Sequence, residues 1–165
     1  MKTTVILMVM ILGTNVAMAA NHSQENFKRA KSILQLGHFV GTDDSGDKCS
    51  VDLSFKTKPS GGEIFSAVLS YKAYNGKIET SEIELDPSID NLHLETDADD
   101  EYKDYYFIKS KRVKDPTDDE YEINIIDGIR QVFENNVMFD ISFDHYEINE
   151  HSDPHENTFR CRVSK

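Results

Sequence analysis

The chain predicts an all-β fold: one short N-terminal helix, then about eight antiparallel strands in a meander that closes into a barrel or stacks as a sandwich. Two observations carry this expectation. Beyond Gly37 the apolar residues recur with a period of two, the spacing of a half-buried strand. Clusters of Asp, Gly, Pro and Asn interrupt that pattern about every ten residues, the rhythm of an antiparallel meander. The length of 165 residues fits one domain, because two independent cores would be crowded in it.

Residues 1–19 read as a signal peptide. Lys2 gives a minimal positive start, Val5 to Leu12 is an unbroken apolar run of eight, and Ala17-Met18-Ala19 has the small-x-small pattern of a cleavage site. Eight apolar residues are too few to cross a hydrocarbon core, which needs about 20. Cleavage after Ala19 leaves a single secreted β-domain, residues 20–165. No second apolar stretch follows, so no membrane span is expected in the mature chain.

The helix is expected over about residues 22–36. Phe27, Ala30, Ile33 and Leu34 share one side, Asn21 or Ser23 can cap the start, and Gly37 suits the position just past the end. Cys49, Val51, Leu53 and Phe55 then alternate with polar residues, and Phe65, Ala67, Leu69, Tyr71 and Ala73 repeat the pattern. Asn75-Gly76 marks a hairpin into Lys77 to Leu85. Ile89 to Asp104 reads as a strand followed by a mobile acidic loop. Tyr102 to Val113 and Glu120 to Ile126 are further strands, and Ile129 to Phe133 fits either a helical turn or a strand. Val137, Phe139, Ile141 and Phe143 form one apolar phase, and Phe159, Cys161 and Val163 end the chain on a last strand.

Composition narrows the function. Thirty acids against 18 Lys and Arg give a net charge of −12, or −13 once Lys2 is removed with the signal peptide. Nucleic acid is thereby an unsuitable partner, since phosphate binding needs clustered cations. Lys109, Lys111, Arg112 and Lys114 form the one dense cationic run, and the acids that follow at once can neutralise it. It reads as a solvated strand edge. No G-x-S-x-G, H-E-x-x-H, P-loop or dinucleotide fingerprint is present, so no catalytic residue, enzyme activity or cofactor is assigned. His145, His151 and His155 crowd together with acids, but Pro154 and a loop-like composition break the helical geometry that the spacing of the last two requires. Asp43, Asp44 and Asp47 surround Gly46 without the ligand order of a calcium loop. No metal site is assigned to either.

The two cysteines both lie on the apolar phase of their strands, and an exported chain oxidises its thiols. A Cys49–Cys161 disulfide tying an early strand to the last one is therefore expected.

An exported barrel with inward aromatics has the architecture of a container for apolar molecules. Gly37-His38-Phe39, after a short helix and at the first strand, resembles the Gly-x-Trp opening of the lipocalins. Tryptophan is absent and no other lipocalin signature is found, so the likeness is one of architecture alone. The reading is an exported, soluble, non-enzymatic binding protein holding a small apolar or amphipathic ligand. The inward set Phe55, Phe65, Leu69, Tyr71, Phe139 and Phe143 would line the site. The alternative is an acidic protein-binding module, or an inhibitor of a cationic secreted protein, whose basic partner its charge would attract.

Overall fold

The computed structural model describes residues 21–114, 122–149 and 155–163. The expected signal peptide, His151 and the side chain of His155 lie outside what is described. One helix, α1, covers residues 21–33, shorter at its end than the expected 22–36 because Leu36 is exposed and the chain turns into a strand at Gly37. Nine strands follow: β1 (Gly37–Thr42), β2 (Lys48–Thr57), β3 (Glu63–Lys72), β4 (Ile78–Leu85), β5 (Asn91–Ala98), β6 (Tyr102–Lys114), β7 (Glu122–Glu134), β8 (Val137–Asn149) and β9 (His155–Val163).

All nine belong to one antiparallel sheet in the order β4-β3-β2-β1-β9-β8-β7-β6-β5. Sheet membership follows the predicted alternation closely, but β4 and β5 at the two ends are not paired with each other. The sheet is thus open, and hydrogen bonding does not close it into a barrel. The expected mobile acidic loop resolves into β5 and a short turn, in which Asp99 Oδ1 accepts the backbone N–H of Glu101 (2.9 Å) and of Tyr102 (2.6 Å). The undecided stretch Ile129 to Phe133 is the second half of β7.

Local chemistry explains the reversals. Asn135 and Asn136 both take left-handed backbone angles, φ 50° and 64°, as a two-residue hairpin between β7 and β8 demands. Asparagine tolerates this region better than most residues. Gly76, at φ 79°, serves the β3–β4 hairpin, where Asn75 Oδ1 accepts the Lys77 N–H at 2.8 Å.

One irregularity changes a side-chain assignment. Val132 pairs with Asp140 and Phe133 with Met138, so Phe139 is the extra residue of a β-bulge. The bulge shifts the phase of β8: Met138 turns into the core, while Phe139 packs edge-on against Tyr102, centroids 5.8 Å apart. The strict alternation through Val137 and Phe139 is corrected accordingly.

The core lies on the inner face of the sheet, beneath α1. Phe27 of α1 meets Phe55 at 5.2 Å, Phe55 meets Phe65 at 5.3 Å, and Phe65 meets Phe107 at 5.6 Å, all edge-to-face. Polar contacts fix the helix over the sheet. Gln131 is fully buried, and its amide accepts the Gln35 N–H (2.9 Å) and donates to the Gln35 carbonyl (2.7 Å). Asn26 donates to the Leu92 carbonyl at 2.8 Å, and Ser23 Oγ accepts the Leu92 N–H at 3.1 Å. These two side chains occupy backbone groups at the free edge of β5, so α1 caps one end of the open sheet.

The Cys49–Cys161 disulfide is present, with Cα atoms 6.0 Å apart. It joins β2 to β9, which are not neighbours, since β1 runs between them. Two strand spacings of about 4.8 Å would hold them farther apart in a flat sheet. The sheet is therefore creased along β1, and Gly41 is the reason it can be. Gly41 pairs with Cys49 on one side and Val163 on the other, and a Cβ there would overlap the Arg162 carbonyl and lie 3.2 Å from Cys161 Sγ.

Candidate functional site

The crease brings the two halves of the sheet face to face, and an open cavity of about 540 Å³ lies between them. One wall comes from β3 and β4 through Leu69, Tyr71, Ser81 and Ile83. The other comes from β6 to β9, where antiparallel register sets two rows across four strands. Phe107, Ile129, Phe143 and Phe159 form an apolar row. Two residues along each strand, Lys109, Asp127, His145 and Asn157 form a polar one. Phe143, Phe159 and the whole polar row line the cavity, and Tyr71 crosses from the opposite wall to lie 4.8 Å from Phe159.

The polar row is an electrostatic chain. Asp127 Oδ1 lies 2.6 Å from His145 Nδ1, and its Oδ2 lies 3.9 Å from Lys109 Nζ. His145 Nε2 faces Glu147 Oε1 at 3.3 Å. The hydrogen bond to Asp127 raises the His145 pKa above the ordinary imidazole value, against the smaller opposing effect of burial; Glu147 adds to the rise. Lys109 also donates to the Glu84 carbonyl at 3.3 Å, which connects β6 to β4 across the cavity. One side of the cavity is thus aromatic and apolar, and the other carries paired charges.

Of the six residues expected to line a ligand site, Leu69, Tyr71 and Phe143 are brought together here. Phe55 and Phe65 are elsewhere, in the aromatic chain beneath α1 that fills that end of the interior. Phe139 is turned away by the bulge. Lys109 is not on a solvated edge, since it points into the cavity. His145 is not in a loop, since it stands within β8. The sequence reading missed Asp127, Asn157 and Phe159 as a set. Their signal was present: in β6, β7, β8 and β9 a polar residue occupies the apolar phase two positions from Phe107, Ile129, Phe143 or Phe159.

A second recess, about 390 Å³, lies on the outer face of β5 to β8 and is lined by Glu95, Asp97, Asp104, Tyr106, Arg130, Asp144 and Tyr146. Arg130 is clamped by Asp104, with Nε 2.9 Å from each carboxylate oxygen, and these bonds hold its guanidinium firmly protonated. Gly128 lets Ile108 and Tyr106 lie across the sheet there, since a Cβ at that position would overlap Ile108. The Tyr106 hydroxyl is buried with no hydrogen-bond partner among the described residues, and burial raises its pKa.

Among the described residues no group of histidines, cysteines and acids is arranged to hold a metal ion, and no helix is long and apolar enough to cross a membrane. No protein-family model matches the chain, and neither a curated protein nor a solved structure gives a significant match.

Proposed function

We propose that the chain is an exported, non-enzymatic binding protein whose inner cavity holds one small amphipathic molecule. The creased sheet acts as an unclosed barrel: α1 and the aromatic chain fill one end, and the cavity occupies the other. The observation that carries this reading is the cavity itself, about 540 Å³ with an aromatic side and a charged side. That volume falls within the roughly 300–1,000 Å³ of small-molecule sites. The apolar body of the ligand would rest on Tyr71, Phe143 and Phe159, and its polar end would meet Lys109, Asp127 and His145. Export rests on the leader-like residues 1–19 and is compatible with the disulfide.

Fluorescence titration with 1-anilinonaphthalene-8-sulfonate, an aromatic amphiphile, tests the site. Phe159→Ala should weaken binding about tenfold or more, a loss of roughly 1.4 kcal/mol, while Phe139→Ala should leave it unchanged. Equal effects of the two substitutions, with melting curves showing both proteins folded, would remove the cavity as the site.

A further inference from the structure

The two free ends of the sheet are treated differently. At β5, Ser23 and Asn26 of α1 occupy the outward backbone groups of Leu92. At β4 five consecutive residues, Ile78 to Glu82, are exposed. The hairpin fixes which of their backbone groups face outward. Ala73 N–H bonds the Lys77 carbonyl at 2.8 Å, so alternate pairs from there, Tyr71–Glu79 and Leu69–Ser81, exchange hydrogen bonds within the sheet. Ile78, Thr80, Glu82 and Glu84 therefore turn their N–H and C=O groups to the free edge. The Glu84 carbonyl is taken by Lys109, which leaves Ile78, Thr80 and Glu82 as a template with no backbone partner on that side among the described residues.

From this edge we infer a docking site for an extended, basic segment of another protein, added to the sheet as a tenth strand beside β4. Backbone groups supply the pairing, as in other cases of strand addition. Charge selects the occupant. β4 carries Glu79, Glu82 and Glu84; Lys56 neutralises Glu82 at 3.0 Å, but Glu79 and Glu84 have no cationic partner among the described residues. A strand bearing Lys or Arg complements them on both faces of the sheet. A second copy of the chain is disfavoured, because antiparallel pairing of two β4 strands brings glutamates towards glutamates. Tyr74 and Ile78, both largely exposed at the hairpin end, offer apolar contact to the docked strand.

The probe is a short capped peptide of alternating Lys and Val, with its Glu–Val counterpart as control. In amide-resolved NMR the Lys–Val peptide should shift the Ile78, Thr80 and Glu82 N–H signals, show cross-strand contacts to β4, and bind about tenfold more tightly than the Glu–Val peptide. Affinity should fall as salt is raised above about 0.15 M. Thr80→Pro removes one outward N–H, a change that an edge strand tolerates, and should abolish binding while spectral dispersion stays native. Shifts confined to the inner cavity, equal affinity for the two peptides, unchanged binding by folded Thr80→Pro, or a β4-mediated dimer in sedimentation would each overturn the proposal. The wild-type shift map decides the matter if Thr80→Pro does not fold.

Discussion

Asp127 and His145 face each other directly across β7 and β8, carboxylate oxygen to ring nitrogen at 2.6 Å, on the wall of the inner cavity. The same carboxylate reaches towards Lys109 with its other oxygen. Asp127 is therefore the hub of the polar row, and its removal should be felt by both His145 and Lys109.

The first consequence concerns protonation. His145 should titrate above the ordinary histidine value of about 6.5, because Asp127 holds its charged form. A raised pKa in the folded state contributes stability that is fully present below about pH 6.5 and is lost as pH rises through the folded value. Histidine-resolved NMR titration should show this, and Asp127→Asn should move the His145 pKa back down. An unchanged His145 titration in folded Asp127→Asn would contradict the assignment.

A second consequence follows from the crease. Removing the disulfide with Cys49→Ser and Cys161→Ser frees a chain loop of 112 residues and should cost about 4.7 kcal/mol in the chain-entropy model. Gly41→Ala should cost about 1–3 kcal/mol even with the bridge intact, because the added methyl has no room beside Arg162. Denaturant unfolding of the three proteins measures both. A neutral Gly41→Ala would mean that β1 and β9 can part without loss.

Gln131 gives the third. Its amide closes two hydrogen bonds to Gln35 from a fully buried position. Gln131→Leu leaves both Gln35 backbone groups unpaired and should destabilise by about 1–3 kcal/mol. Faster hydrogen exchange at the Gln35 amide should accompany it, which simple loss of packing elsewhere would not produce.

What the sequence disclosed depended on how local the cause was. Alternation places β2 and β3 because burial of one face writes itself into neighbouring residues. The disulfide was legible because both cysteines share the apolar phase of their strands. Phe139 was misplaced because a bulge opposite Val132 and Phe133 is a property of two paired strands, invisible in either one alone. The choice between barrel and sandwich was not legible for a similar reason: whether β4 meets β5 depends on the coiling of the whole sheet, and in the structure the two stay unpaired while α1 caps one edge. The charged row lay hidden longest. Lys109, Asp127, His145 and Asn157 are spread over 49 residues of sequence, and register alone aligns them.

Native mass spectrometry of the protein purified from its own source tests the central claim most directly. The account predicts a folded species heavier than the disulfide-bonded chain by the mass of one small molecule, with that excess lost on denaturation and absent from a folded Phe159→Ala variant prepared the same way. A folded protein carrying only the mass of its chain, and taking up no 1-anilinonaphthalene-8-sulfonate, would contradict it.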